Sequence, residues 1–307
     1  MVIYKSLNDI IKTKETIVTI GAFDGLHKGH SLIFDKLESL STNSTKKVVI
    51  SFDPHPKSVF NPKSHKILVD KKTKIELIKK YKIDILLLVP FNRDFANQSA
   101  DYFLSEVIVK FFDPKIILIG HDHCFGKNRL GNESFLKRNE NLYNYKTISL
   151  KPNKIDGEII SSSIIKTYIV GNEIELANKF LGRKYSINAL IEKGAGRGRL
   201  LNYPTANLNV SNDSICIPSN GVYAINAKMN GNEYKGMCNI GHRPTFDDLI
   251  DPVIEVNLFH DFKQDFYGQK IEISFVKYIR KEKKFSTKIE FINQLNFDKK
   301  ICMKVND

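Results

Sequence analysis

A ten-residue segment near the start of the chain has the residue types of a phosphate-binding turn. Residues 21–30 read GAFDGLHKGH and lie between a run of β-branched residues and a helical pattern. The first turn of a helix offers unpaired N–H groups and positive dipole, and glycine lets the backbone approach a ligand. Two histidines three residues apart at this position can stabilise charge that develops on a triphosphate. A glycine-rich turn with two surface histidines is the alternative. The candidate residues are Gly21, Phe23, Asp24, Gly25 and Gly29, with His27 and His30 as catalytic candidates.

Three further segments of the first half have features of a nucleotide site. FDPHP (52–56) and GHDHCFGKNR (120–129) each follow a predicted strand, where the ligand crevice of a parallel sheet is expected. ISSSIIK (160–166) combines serines that can cap a helix with a cation inside its first turn. Each segment alone also fits a helix cap or a solvated turn. The candidate residues are Asp53, His55, Asp122, Ser161, Ser162, Ser163 and Lys166.

Histidine and cysteine side chains of the first half raise a metal centre as an alternative. His121, His123 and Cys124, together with the two histidines of segment 21–30, are ligand types that zinc uses. No second ligand pair with the usual spacing accompanies these residues. The sequence therefore favours a phosphate site over a zinc centre.

The second half carries a glycine- and arginine-rich loop followed by oxygen donors. GAGRGR (194–199) can hold phosphate with backbone N–H and guanidinium groups. Thr205 and Asn207, in the PTAN sequence after it, offer side-chain oxygens that suit a magnesium ion bridging ATP phosphates. A flexible surface loop before a proline turn is the alternative. The candidate phosphate-binding residues of the loop are Gly194, Gly196, Gly198 and Arg199.

A carboxylate interrupts an apolar strand pattern later in the chain. Glu255, within IEVNL (254–258), can accept the proton of a substrate hydroxyl as a general base. An outward-facing charge on an alternating strand is the competing interpretation. Arg280 lies in the charged stretch YIRKEKKF (278–285).

The elements that must position these residues differ between the two halves. Up to about residue 180, short apolar strand patterns alternate with helical patterns, which predicts an α/β domain with a Rossmann-like parallel sheet and helices on both faces. After residue 181, strand patterns with short connections, including a hairpin at MNGNE (229–233), precede one C-terminal helical pattern. They predict a small antiparallel barrel with a C-terminal helix. The predicted domains are 1–181 and 182–307.

Composition and charge limit the class of protein. The 307 residues, 42% hydrophobic and 26% charged, suit two globular domains. The net charge of +13 favours anionic ligands, but the basic residues are scattered, which argues against a nucleic-acid-binding protein. The four cysteines form no CxxC pair, and no apolar run has the length of a signal peptide or membrane span. We therefore expect a cytoplasmic protein with small-molecule substrates and no nucleic-acid or membrane partner.

The motifs of the two halves resemble two modules of one enzyme family. GAFDGLHKGH, FDPHP, GHDHCFGKNR and ISSSIIK resemble, in order and spacing, the FMN adenylyltransferase module of bacterial bifunctional FAD synthetases. The loop at 194–199, PTAN, GVYA (221–224), NIGHRPT (239–245) and DFYG (265–268) resemble the riboflavin kinase module of the same family. The resemblance covers almost the whole chain. It implies an HxGH-type nucleotidyltransferase domain before a kinase barrel, and ATP-dependent conversion of riboflavin to FMN and of FMN to FAD plus pyrophosphate.

The resemblance also implies roles for individual residues. His27 and His30 contact ATP phosphates, and Asp122 lies near the nucleotide. In the barrel, Glu255 is the base for the riboflavin 5′-hydroxyl. The resemblance gives magnesium-ATP binding to Thr205 and Asn207, and flavin contacts to Asp53, His55 and Arg280.

The chain departs from the family pattern at a few positions. Ser163 stands where the family usually has threonine, and Lys166 stands where it has arginine, which loses the bidentate guanidinium fork. Asn202-Tyr203 replaces the usual Gly-Phe before PTAN. Two rival hypotheses remain: an enzyme with one active module, and a basic nucleic-acid-binding protein.

Overall fold

The computed structural model describes residues 1–62, 64–193, 205–210, 212, 214–242, 252–262 and 267–305. The chain forms two compact units, residues 1–162 and 163–307. The helical stretch at 163–181, which the sequence analysis assigned to the first domain, belongs to the second compact unit. The domain boundary at 181/182 stays a prediction.

A six-stranded parallel sheet forms the centre of the first unit. The strand order is β1-β4-β3-β2-β5-β6, so the order reverses at β2, and a ligand crevice is expected at the carboxyl end of that strand. A separate two-stranded pair consists of β7 and β8. The strands are β1 (Val2–Tyr4), β2 (Thr16–Ile20), β3 (Lys46–Asp53), β4 (Ile85–Pro90), β5 (Pro114–Gly120), β6 (Lys146–Leu150), β7 (Lys154–Ile155) and β8 (Glu158–Ile159).

Helices cover both faces of this sheet, as the sequence predicts. Successive strand residues point to opposite faces. Val49 packs in one core cluster with Phe34 and Ile78, whereas Val48 packs in another with Leu104. The helical elements of the first unit are α1 (Lys28–Leu40), α2 (Pro56–Phe60), α3 (Lys71–Lys79), α4 (Arg93–Ala96), α5 (Ala100–Tyr102), a π-helical segment (Phe103–Val109), α6 (Lys110–Phe112), α7 (Glu133–Arg138) and α8 (Glu140–Tyr143).

A closed six-stranded antiparallel barrel forms the second unit, in the order β10-β13-β12-β11-β14-β9. The predicted hairpin is confirmed, because β11 and β12 are joined by Asn230 and Gly231, both at positive φ. The C-terminal helix is also confirmed and buries Cys302 in a cluster with Ala224 and Met237. The elements are α9 (Ser162–Val170), α10 (Ile174–Leu181), β9 (Tyr185–Glu192), β10 (Ala206–Asn209), β11 (Gly221–Met229), β12 (Asn232–His242), β13 (Pro252–Leu258), β14 (Lys270–Arg280) and α11 (Lys288–Val305).

Both predicted architectures are thus confirmed: a parallel-sheet α/β unit precedes an antiparallel barrel with a C-terminal helix. Within the described residues, no helix combines the length and the apolar character that crossing a membrane requires.

Candidate active sites

The turn between β2 and α1 is tightly wound because three of its residues adopt positive φ. Phe23 (φ 48°), Gly25 (φ 81°) and Leu26 (φ 38°) fold residues 23–26 into a single compact turn at the carboxyl end of β2. A Cβ atom on Gly25 would lie 2.6 Å from Leu68 Cδ1, so only glycine fits both the conformation and the space. The chain therefore enters α1 directly above the strand end.

The two histidines of this turn lie together. His27 is buried and occupies the N-cap position of α1, and the backbone N–H of His30 donates to its carbonyl oxygen at 2.8 Å. The two imidazole rings are stacked, with centroids 3.7 Å apart and planes 15° from parallel. A Cβ atom on Gly29 would lie 3.1 Å from His27 Nδ1, so the missing side chain makes room for the His27 ring. The structure thus brings the two predicted side chains together, and their contact with a triphosphate stays a prediction.

Asp24 is buried and organises the turn from inside. Its Oδ1 accepts the backbone N–H of Leu68 at 2.7 Å, and its carbonyl oxygen accepts the Ser162 hydroxyl at 2.8 Å. Hydrogen bonds to a buried carboxylate are among the stronger ones in proteins. Asp24 therefore connects the histidine turn to two segments that are distant in sequence.

A buried lysine lies beside the same sheet edge. Lys74 of α3 is 7% exposed, and its Nζ donates to the Phe52 carbonyl oxygen at 3.3 Å. Burial lowers the pKa of Lys74, and the nearby carboxylates of Asp24 and Asp53 act in the opposite direction. Asp53 is itself paired with Lys71, 2.5 Å between Oδ2 and Nζ. Lys74 is not among the sequence candidates. It lies four residues before the core residue Ile78 on α3, and this spacing indicates that its side chain lies on the buried face of the helix.

The imidazole rings of His55 and His65 stack on each other near the carboxylate of Asp24. His55 caps α2 by accepting the backbone N–H of Lys57 on Nδ1 at 3.1 Å. Its ring stacks on that of His65, with centroids 4.5 Å apart and planes 26° from parallel. One ligand atom from each of His55, His65 and Asp24 lies within 4.8 Å of the others. His65 is not among the sequence candidates.

The 120–129 segment divides into exposed and buried side chains. Asp122 is exposed, and its Oδ1 lies 3.8 Å from His121 Nδ1. Burial lowers the pKa of His123 to about 4, so this imidazole is neutral at pH 7. Within the described residues, His121, His123 and Cys124 form no ligand cluster with the histidines of the turn.

An aromatic cavity opens at the same end of the sheet and was missed by sequence reasoning. It has a volume of about 350 Å³, and it extends from the end of β3 to the segment after β5. The phenylalanines come from five separate parts of the chain, so no single motif reveals them. The cationic residues of its lining are Lys57 and Arg129, and the phenylalanines are Phe52, Phe60, Phe91, Phe95, Phe103 and Phe125.

The serine segment 161–163 stands at the start of α9. The hydroxyl of Ser162 donates to the Asp24 carbonyl oxygen, as described above, and so connects α9 to the turn between β2 and α1. The Ser163 carbonyl oxygen accepts the Thr167 hydroxyl at 3.2 Å. Ser161 belongs to the first unit, whereas Ser163 and Lys166 belong to the second. Phosphate binding by these residues stays a prediction.

A polar row crosses the outer surface of the barrel. Asn207 lies opposite Glu192 of β9 on one side and opposite Glu255 of β13 on the other, and Glu255 lies opposite Asn239 of β12. Directly opposed residues in antiparallel strands have Cβ atoms about 5 Å apart. Their sequence neighbours Ala206, Leu208, Ile254 and Val256 are buried inside the barrel. The register therefore places the predicted base next to a predicted magnesium ligand, and the sequence analysis did not select Glu192 or Asn239.

Arg280 is held by the C-terminal helix. Its Nε and Nη2 donate to the buried carboxylate of Asp298, with the Nη2–Oδ2 distance 2.7 Å, and its Nη1 donates to the Lys281 carbonyl oxygen at 2.9 Å. All three guanidinium nitrogens thus have protein partners. A flavin contact by Arg280 stays a prediction.

Part of the predicted kinase site lies outside the described residues. This applies to Gly194, Gly196, Gly198 and Arg199 of the glycine-rich loop. Thr205 is described and immediately precedes β10.

Comparison with known proteins shows the family of the chain. The FAD synthetase family profile matches residues 9–164, and the riboflavin kinase profile matches residues 181–306. The chain belongs to the family of bifunctional riboflavin kinase/FMN adenylyltransferases. Members from Buchnera aphidicola (strain Sg) and Bacillus subtilis are 37% and 32% identical over 94% of this chain and cover 93% and 92% of their own lengths.

The same fold is present in a solved structure. A protein from Streptococcus pneumoniae, described as a macrolide-efflux protein, has a TM-score of 0.88 and 28% identity, with 98% of each chain covered. Membership of the family gives the chain two activities, phosphorylation of riboflavin and adenylylation of FMN, with the FAD synthetase region first. The resemblance stated from the motifs is thereby confirmed.

Proposed function

We propose that adenylyl transfer takes place at the carboxyl edge of the parallel sheet and that riboflavin is phosphorylated on the polar row of the barrel. The observation that carries this assignment is the aromatic cavity at the same sheet edge as the stacked histidines. A site for FMN adenylylation must hold a flat apolar ring system and two sets of phosphates, and this edge offers surfaces of both kinds.

In this proposal the cavity binds the isoalloxazine ring of FMN. Its phenylalanine lining supplies apolar and aromatic contact area, which is the usual composition of a small-molecule pocket. Lys57 and Arg129 are placed to attract the FMN phosphate. The cavity includes Pro56, so the predicted flavin residue His55 directly precedes its lining.

The adenylyl step then needs no covalent enzyme intermediate. A phosphate oxygen of FMN attacks the α-phosphorus of ATP, the new P–O bond forms, and pyrophosphate leaves with the electrons of the broken bond. His27, His30 and the N–H groups at the start of α1 would stabilise the negative charge of the transition state. Gly29 serves this arrangement by leaving room for the His27 ring.

On the barrel, Glu255 would act as the general base. A primary hydroxyl is a poor nucleophile at neutral pH, and a carboxylate can accept its proton as the γ-phosphoryl group of ATP is transferred. Glu255 lies on the outer surface, between Asn207 and Asn239, and is partly exposed. A substrate hydroxyl can therefore reach it from solvent.

Magnesium would be held by Thr205 and Asn207. A hydroxyl and an amide oxygen are hard donors of the kind that Mg²⁺ prefers, and the carboxylate opposite Asn207 adds negative charge nearby. When bound with ATP, the ion would neutralise charge on the transferring phosphoryl group. Thr205, which immediately precedes β10, and Asn207 within β10 would hold the ion from neighbouring positions of the chain.

Arg280 has a positioning role in this proposal. Its guanidinium connects the end of β14 to α11 through Asp298. The charged residues 281–284 that follow Arg280 would therefore begin from a fixed point. The cytoplasmic location and the absence of nucleic-acid and membrane partners remain predictions.

The cavity assignment is tested with Phe60→Ala, a change at a 54% exposed residue of the lining. We expect the KM for FMN in adenylyl transfer to rise by about two- to tenfold, since a lost aromatic contact costs about 0.5–1.5 kcal/mol. Phe297→Ala is the matched control, because Phe297 of α11 is 59% exposed and belongs to the other unit. An unchanged KM in the Phe60 variant would contradict the assignment.

A further inference from the structure

Three side chains of the first unit lie close together and offer two imidazole nitrogens and one carboxylate oxygen, which is not the all-oxygen donor set of a magnesium site. Asp24 comes from the histidine turn, His55 follows the end of β3, and His65 lies in the segment after α2. One ligand atom from each lies within 4.8 Å of the other two, and this is the one such group of three among the described residues. Two imidazole nitrogens with one carboxylate oxygen are ligands of zinc-class ions, whereas Mg²⁺ prefers oxygen donors.

We propose that Asp24, His55 and His65 form a binding site for a divalent transition ion of the zinc class. The site does not depend on the proposed function, and it is separate from the magnesium site proposed on the barrel. Three protein ligands leave a fourth position for water or for an anionic oxygen of a substrate.

The surrounding structure supports a preformed ligand set. Asp24 is buried, and the hydrogen bond from Leu68 N–H to its Oδ1 fixes the carboxylate, which is the kind of support that orients metal ligands. The stacked rings of His55 and His65 hold the two imidazoles side by side. Tetrahedral zinc at about 2.0–2.1 Å from its ligands requires ligand atoms about 3.3 Å apart, so the three ligand atoms, which lie within 4.8 Å of one another, would move closer when the ion binds.

Binding has one identifiable structural cost. His55 Nδ1 accepts the backbone N–H of Lys57. If Nδ1 becomes the ligand, it no longer accepts that hydrogen. If Nε2 becomes the ligand, the neutral ring carries its proton on Nδ1 and again cannot accept. Occupation of the site therefore releases the side-chain cap of α2. The side chain of Lys74 lies near Asp24 and competes with the ion for its carboxylate. Both effects predict moderate affinity.

The test is calorimetric titration of the full-length protein with ZnCl₂ in phosphate-free buffer. We expect one Zn²⁺ per chain, and we expect His65→Ala to weaken binding at least tenfold. His121→Ala is the matched control, because it removes another histidine near a carboxylate of the same unit and should leave binding unchanged. Far-ultraviolet circular dichroism establishes that both variants are folded.

Two results would overturn the proposal. Zn²⁺ binding of equal strength in the His65→Ala variant would place the ion elsewhere, for example on His27 and His30. Displacement of Zn²⁺ by 10-fold excess Mg²⁺ would indicate an oxygen-donor site. Co²⁺ provides a second probe. The wild-type complex should show a visible absorption band that the His65→Ala variant lacks. Retention of this band in the His65→Ala variant would also contradict the assignment.

Discussion

The histidine turn of the first unit and the polar row of the barrel bring their side chains together in different ways. The turn places Asp24, His27 and His30 within seven residues of chain, and two of the three are buried. The row brings Asn207 and Glu255 together through strand register, 48 positions apart in sequence, on an outer surface. The positions of side chains in a local turn depend on backbone conformation and on the space around its glycines. The positions of side chains in a row across strands depend on the strand pairing of the whole barrel.

The largest effect is expected for Glu255→Gln, a substitution on the barrel row that keeps the shape of the side chain and removes the base. We expect turnover for riboflavin phosphorylation to fall roughly 10²–10⁴-fold, the usual range for general-base removal. Riboflavin and ATP binding should change little, because the lost interaction acts in the transition state. Turnover is followed by chromatography of FMN, and riboflavin affinity by quenching of its fluorescence.

Glu192→Gln is the matched control for that experiment. It makes the same substitution in the same row, on the other side of Asn207. We expect it to change kinase turnover less than threefold. If Glu255→Gln retains near-wild-type turnover, Glu255 is an outward-facing strand charge, and the base lies elsewhere.

The turn is tested by His30→Ala. We expect FAD formation from FMN to fall about 10²–10³-fold, as for removal of one donor that stabilises transition-state charge. Phosphorylation of riboflavin should stay near normal, because His30 belongs to the other unit. Adding His27→Ala should give a loss smaller than the product of the two single losses, since the rings are stacked and would serve the same phosphates. Equal loss of both activities in a folded His30 variant would contradict the assignment of separate sites.

One histidine of the first unit, His123, also predicts a pH effect on stability. The pKa of His123 is lowered to about 4 by burial, from an ordinary value near 6.5. The unfolded chain therefore binds more protons between these values, so this contribution to stability is complete above pH 6.5 and is lost as the pH falls toward 4. Between pH 7.5 and 5.0 the loss is about 2 kcal/mol.

Urea unfolding at these two pH values measures that effect. His123→Gln removes the titrating group, so the free energy of unfolding of the variant should fall about 2 kcal/mol less than that of the wild type. His121→Gln, at an exposed neighbouring histidine, is the control and should behave as the wild type does. Identical pH dependence in the wild type and the His123 variant would mean that His123 does not titrate with a lowered pKa.

The smallest expected effect is a gain from Lys166→Arg. The family usually has arginine at this position, and a planar guanidinium can form bidentate hydrogen bonds to phosphate. We expect the KM for ATP in adenylyl transfer to fall several-fold, corresponding to at most about 1 kcal/mol. Unchanged KM and turnover would remove Lys166 from the candidate site.

Sequence alone determined the local motifs and the longer elements with a clear apolar pattern. Apolar runs marked the five strands from β2 to β6, and Asn230-Gly231 marked a hairpin, because side-chain periodicity and turn residues act over a few positions. The short edge strand β1 was missed, since three partly exposed residues carry little pattern. Strand β10 was also missed, because its pattern of alternation is only four residues long.

Tertiary structure alone decided which distant residues meet. The aromatic cavity draws phenylalanines from residue 52 to residue 125, and Lys74 and His65 meet Asp24 only after α3 and the preceding segment pack against the sheet. Likewise, the register of β10 with β13 sets Glu255 beside Asn207. These contacts depend on how elements pack and on which strands pair, and no periodicity along the chain encodes either.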